Sequence, residues 1–285
     1  MIRHCTAFFA LLLLIAPAAA RAQVTLPKGT PVVYGHHHIN PTDPAAHRKF
    51  WVDTLGGSTS KIGPREVIQF PGVVLILTAN KPTGGTKTSS VNHIGFGVQN
   101  LRAMVDRMQA AGYPIVTRAE LPPIYATGEK DGIAPIPDQN TSVAFVMGPD
   151  DTKVELVEVK TQSAPVTMHH VHFATQQVPE MTAWYAKTFG LTAGKRGAFD
   201  NIKLPADAHL TFSPSPAPVV PTKGRVLDHI GFEIRGLEAF TKTLETAGIT
   251  LTVPYRQLPD GLKIAFFVDP WGTYVELTEG LAKAE

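Results

Sequence analysis

The stretch Val226–Ile249, "VLDHIGFEIRGLEAFTKTLETAGI", decides how this chain is read, because Ser90–Tyr113 says nearly the same thing: "SVNHIGFGVQNLRAMVDRMQAAGY". Each begins with an acidic or amide residue and His-Ile-Gly-Phe. Each continues through a short polar break into a helix-like stretch that ends at Ala-Gly. In "HIGFEI" the apolar Ile230, Phe232 and Ile234 alternate with His229, Gly231 and Glu233, so a strand would bury one set and present histidine on the other face. In the helix that follows, Leu237, Phe240, Leu244 and Ala247 form one apolar stripe, and Gly248 supplies the stop.

The repeat extends outward. "GHHHINPTDPAAHRKFWVDTLGG" aligns with "HHVHFATQQVPEMTAWYAKTFGL", which sets His36 on His170 and His38 on His172. "FVMGPDDTKVELVEV" aligns with "FVDPWGTYVELTEG", which sets Glu155 on Glu276. The chain is thus two similar parts, residues 30–160 and 165–281, joined by "KTQSAPV". Each part holds two units of strand, helix and several short strands. In the first unit Thr42 or Asp43 is the expected N-cap, with Pro44 in the first turn and Gly56 at the end. "AELPPIYATGEKDGIAPIPDQN" stands apart as a long Pro/Gly-rich loop of the kind that forms lids.

Composition narrows the function. A net charge of +2 over 285 residues gives no footprint for nucleic acid or for an anionic membrane surface. Residues 1–22 read as a secretory signal peptide: Arg3, the apolar run "FFALLLLIAPA", and small residues before Gln23. The expected mature protein is therefore exported, periplasmic or secreted. Its one cysteine, Cys5, leaves with the signal, so neither disulfides nor thiol catalysis are expected.

Eight of the eleven histidines fall on first strands of units: His36, His37, His38, His93, His169, His170, His172 and His229. Taken half by half, the metal-ligand candidates are His170, His229 and Glu276 in the second part and His36, His93 and Glu155 in the first. Two imidazoles and one carboxylate leave coordination positions open, as a catalytic metal requires. Gly95 and Gly231 leave room beside two of the histidines.

The four units, with "HHVHFAT", "DHIGFEI" and "DPWGTYVEL", resemble the vicinal oxygen chelate superfamily, which includes glyoxalase I, bleomycin-resistance proteins and type I extradiol dioxygenases. The resemblance covers nearly all of residues 30–281. It implies an α+β fold of four βαβββ modules paired into two glyoxalase-like domains. It also implies a divalent metal on the concave face, with Fe, Mn, Zn and Ni not distinguished, held by ligands from first and last strands. Carried over, that selects His170, His229, Glu276, His36, His93 and Glu155, with His209 near a fourth-ligand position. The implied activity is that of a metal-dependent lyase or isomerase on a small oxygen-rich substrate, in a chain that could form homo-oligomers. The alternatives are an extradiol-type dioxygenase and a non-catalytic binder of the bleomycin-resistance type. Phe266 stands where the extradiol signature has a tyrosine, which weighs against ring cleavage.

Overall fold

The structure is a computed structural model that describes residues 24–281 and 283–284; residues 1–22, the expected signal peptide, lie outside them. Four modules follow one another. The first has β1 (Thr25–Leu26) leading to β2 (Val32–Ile39), helix α1 (Pro44–Arg48), and strands β3 (Ser58–Ile62), β4 (Arg65–Phe70) and β5 (Val73–Leu77). The second has β6 (Val91–Val98), α2 (Leu101–Ala110), two short helices α3 (Thr117–Glu120) and α4 (Pro123–Ala126), then β7 (Ala134–Ile136), β8 (Thr141–Met147) and β9 (Lys153–Glu158). The third has β10 (Val166–Thr175), α5 (Val178–Phe189), β11 (Ala193–Arg196), β12 (Phe199–Lys203) and β13 (His209–Pro214). The fourth has β14 (Leu227–Ile234), α6 (Leu237–Thr246), β15 (Leu251–Gln257), β16 (Lys263–Val268) and β17 (Tyr274–Glu279). A last strand, β18 (Lys283–Ala284), pairs in parallel with β1.

The modules join into two eight-stranded sheets, and the pairing crosses the halves of the chain. The middle sheet runs β11-β12-β13-β10-β6-β9-β8-β7, the third module with the second. The terminal sheet runs β15-β16-β17-β14-β2-β5-β4-β3, the fourth module with the first. Each sheet is centred on an antiparallel pair of first strands, β10 with β6 and β14 with β2.

Period-2 alternation divides each first strand. Ile230 and Phe232 are fully buried in one core that both sheets share. Phe232 meets Phe189 of α5 at a ring separation of 4.3 Å, and Tyr34 of β2 at 5.6 Å. Its nearest rings therefore come from other modules, while Leu244 of its own helix joins the same core. α5 lies between the sheets: Phe189 reaches the terminal sheet while Tyr185 packs on Phe173 and Phe212 of the middle one. At α1 the cap is Asp43, whose Oδ1 accepts from Ala45 N at 2.8 Å. The helix then widens into a π-helical turn over Lys49–Thr54, which buries Phe50 and Trp51. Among the described residues no helix is long and apolar enough to cross a membrane.

Candidate metal centre

The antiparallel pairing of first strands brings the histidines together. In the middle sheet His172 faces His93 and His170 faces Gly95. In the terminal sheet His38 faces His229 and His36 faces Gly231. The glycines are a steric requirement, because a methyl group at Gly95 would overlap the His170 ring and one at Gly231 the His36 ring. The last strand of a module lies parallel to the first and sets the glutamate beside it: Gly95 pairs with Glu155, and Gly231 with Glu276.

In the middle cleft, His93 Nε2 lies 2.8 Å from Glu155 Oε2, and His170 Nε2 lies 3.1 Å from the same oxygen. The two Nε2 atoms are 3.3 Å apart. In the terminal cleft, His36 Nε2 and His229 Nε2 lie 2.8 and 3.0 Å from Glu276 Oε2. Bonds of about 2.1 Å to one ion place neighbouring ligand atoms about 3.0 Å apart in an octahedral site and about 3.4 Å in a tetrahedral one. Both trios have the donor chemistry and the spacing for a divalent metal. His172 brings a fourth ligand atom to the middle cleft, all four lying within 4.8 Å of one another.

All six sequence-selected residues lie in these two groups, but the half-by-half grouping is corrected. His170 joins His93 and Glu155, while His36 joins His229 and Glu276. The reason is the pairing of modules: partners in a cleft come from different halves. His209 falls outside both groups. It pairs in register with His170 on the next strand, and its Nδ1 lies 3.1 Å from Asn201 Nδ2. His37 points to the core, with Tyr34 Oη 2.7 Å from its Nδ1. His172 was visible as the second histidine of the "HHVHF" alternation, on the same strand face as His170.

The electrostatics suit cation binding. Burial opposes ionisation of Glu155, yet His170 and His93 hold its carboxyl well below the usual range. His36 and His229 do the same for Glu276. Burial pushes His93 down to about 4, assisted by Lys153 and His170, which favours the neutral ring that a metal ligand requires. His229 is raised despite burial, because Asp228 and Glu276 favour its charged form. Asp228 Oδ1 lies 2.7 Å from His229 Nδ1; the matching partner of His93 Nδ1 is the amide oxygen of Asn92, at 3.0 Å.

The cavities differ. The middle cleft opens into a hollow of about 960 Å³, with Tyr125, Phe145, Phe199 and Pro122 in its walls. Its roof is the long Pro/Gly-rich loop, which carries α3, α4 and β7. Asp138 ties that roof down by accepting from Tyr125 Oη at 2.8 Å and from Ala198 N, at the β11–β12 turn, at 3.0 Å. The terminal cleft holds only about 370 Å³. Arg65 of β4, in its wall, pairs with Asp260 of the fourth module.

The family model described as Glyoxalase/Bleomycin resistance protein/Dioxygenase superfamily matches residues 33–131 and 167–277. No curated protein matches the chain. Glyoxalase I from Zea mays shares the fold at a TM-score of 0.66 and 16% identity, covering 87% of this chain and 92% of that one. A putative dioxygenase from Bacillus subtilis subsp. subtilis str. 168 has a TM-score of 0.64 at 14% identity, covering 91% and 86%. The chain belongs to the Glyoxalase/Bleomycin resistance protein/Dioxygenase superfamily.

Proposed function

We propose that this member of the superfamily is an exported, metal-dependent lyase or isomerase acting on a small oxygen-rich substrate in the middle cleft. The observation that carries the reading is the convergence of His93 Nε2, His170 Nε2 and Glu155 Oε2, at 2.8–3.3 Å, beneath a cavity of about 960 Å³. A bound divalent ion would act as a Lewis acid for vicinal substrate oxygens. His93, His170 and Glu155 would hold it, with His172 as a further ligand. A ligand histidine bound through Nε2 keeps its proton on Nδ1. For His170 that N–H points at His169 Nδ1, 2.6 Å away. The side chains of His93, His170 and Glu155 are largely buried, which strengthens charge interactions at the floor of the cleft. Phe145 faces Glu155 on the neighbouring strand, as Phe266 faces Glu276, so neither cleft has a proton-transferring tyrosine at that position. That favours lyase or isomerase chemistry over extradiol ring cleavage.

Metal analysis of protein purified without chelators tests the reading. The expected result is up to two ions per chain, one of them lost in His170→Ala together with turnover of hemithioacetal or vicinal-oxygen substrates. A wild-type chain that carries no metal and binds such ligands equally well with chelator present would instead be a non-catalytic binder. Export is tested separately: the protein recovered outside the cytoplasm should begin at Gln23.

A further inference from the structure

Arg196 ends β11 at the edge of the middle cleft, and the mechanism above leaves it unused. It is half-buried, lines the cavity, and its Nη1 lies 3.4 Å from His169 Nδ1. Other charged side chains in that wall have ion-pair partners. Glu120 accepts from Lys87 at 2.8 Å and from Lys153 at 2.7 Å, and Asp200 pairs with Lys195 at 3.0 Å. Glu155 belongs to the two imidazoles. Among the described residues Arg196 has no carboxylate within ion-pair distance. A guanidinium presents five N–H donors in a fixed fork, and burial without an anion is costly. Phe199 and Phe145 line the same cavity, edge-on to His172 at 5.4 Å and to His93 at 5.2 Å, while His169 links Arg196 to the cluster, its Nδ1 lying 2.6 Å from His170 Nδ1.

We propose that the middle cleft takes a small carboxylate: a molecule with an apolar or aromatic body, chelating oxygens at the metal end and a carboxylate held by the Arg196 fork. The proposal rests on reading the middle cleft as a metal site. It deepens that reading by assigning the substrate's second anionic group and the residue that selects it. Arginine suits the role because its planar donors match a carboxylate bidentately. Charge balance agrees: a divalent ion outweighs the single Glu155 carboxylate, and Arg196 adds a second unmatched positive charge.

The test uses the full chain loaded with Zn(II), and two probes of similar size, 3,4-dihydroxyphenylacetate and 4-ethylcatechol, with affinity measured by calorimetry. Wild type is expected to prefer the acid by about ten- to hundredfold, the range for a charge-assisted contact. Arg196→Gln should bring the ratio to within about twofold of one, and Arg196→Lys should restore part of it. Equal affinity for both probes in the wild type overturns the proposal alone. So does a preference that persists in Arg196→Gln. If zinc is bound but neither probe is, chelation in this cleft fails and takes the proposal with it.

Discussion

The two clefts have the same cradle and different walls. His93, His170 and Glu155 in the middle sheet repeat His229, His36 and Glu276 in the terminal one, and the distances to the shared carboxylate oxygen lie between 2.8 and 3.1 Å in both. Even the outer contacts repeat: His172 Nε2 lies 2.8 Å from Ser213 Oγ, and His38 Nε2 lies 2.7 Å from Thr78 Oγ1. Strand register and a glycine dictate this geometry, so any chain that keeps the pairing keeps the cradle. Cavity size is set by segments that the register does not control. One cleft is roofed by residues 120–139 around about 960 Å³; the other, lined by Arg65, Leu258, Leu262 and Leu281, holds about 370 Å³. A metal-ligand cradle can therefore be duplicated while the room for a substrate is not.

Removing the two glutamates one at a time is the sharpest way to break this comparison. Glu155→Ala should empty the middle cleft of metal and lower turnover by about 10³-fold or more, since a Lewis-acid contribution is worth several kcal/mol. Glu276→Ala should release the other ion and leave most of the turnover. Elemental analysis and steady-state kinetics on the two variants check both halves of the claim. Equal losses of turnover would make the clefts functional equals.

Much of this cradle was legible in the sequence. The recurring His-Ile-Gly-Phe, the alternation in "HHVHF" and the matched glutamates name all six residues of the two trios, because strand periodicity assigns faces from local information. The grouping was not legible: which first strand pairs with which depends on long-range association, and similarity between halves says nothing about who partners whom. In "HHH", a one-residue slip would exchange His36 and His38 with His37. The structure settles this by turning His37 toward Tyr34 and the core. Arg196 escaped because "AGKRGAFD" carries no motif. Its position follows from a hairpin turn held by Asp138 of another module.

Acid should separate His93 from His229 in the metal-free protein. His93 titrates near 6.5 when unfolded and at about 4 when folded, because burial disfavours its charged form. Between these values the unfolded chain binds a proton that the folded chain refuses. Stability therefore falls as pH drops through that window, by up to about 3 kcal/mol. His229 has the opposite sign. Its raised folded value contributes stability that is fully present below 6.5 and lost as pH rises through the folded value. Urea unfolding between pH 4 and 8 should show a shallower acid-side slope in His93→Gln, the remainder being carried by other histidines that burial shifts down, such as His38 and His209, and should lose neutral-side slope in His229→Gln. Identical pH profiles for the two variants would contradict the assigned electrostatics.

The smallest expected effect probes the most local difference, Asn92 against Asp228. A carboxylate on the far nitrogen of a ligand histidine fixes its tautomer and raises its basicity, and losing such a partner typically costs 10–100-fold in metal affinity. His229 has that carboxylate at 2.7 Å, whereas His93 has only an amide oxygen at 3.0 Å. Asp228 is itself held by Gly224 N at 2.7 Å and Asn40 Nδ2 at 3.1 Å, so its position is fixed before any metal arrives. Asp228→Asn should therefore weaken Zn(II) binding in the terminal cleft by about tenfold or more, and Asn92→Asp should strengthen it in the middle cleft by about tenfold. Competition with a chromophoric chelator, in Glu155→Ala and Glu276→Ala backgrounds that leave one cradle each, reads the two affinities separately. If Asn92→Asp leaves the middle cleft's affinity where it was, the partner of Nδ1 does not set the difference between the clefts, and the contrast reduces to their walls.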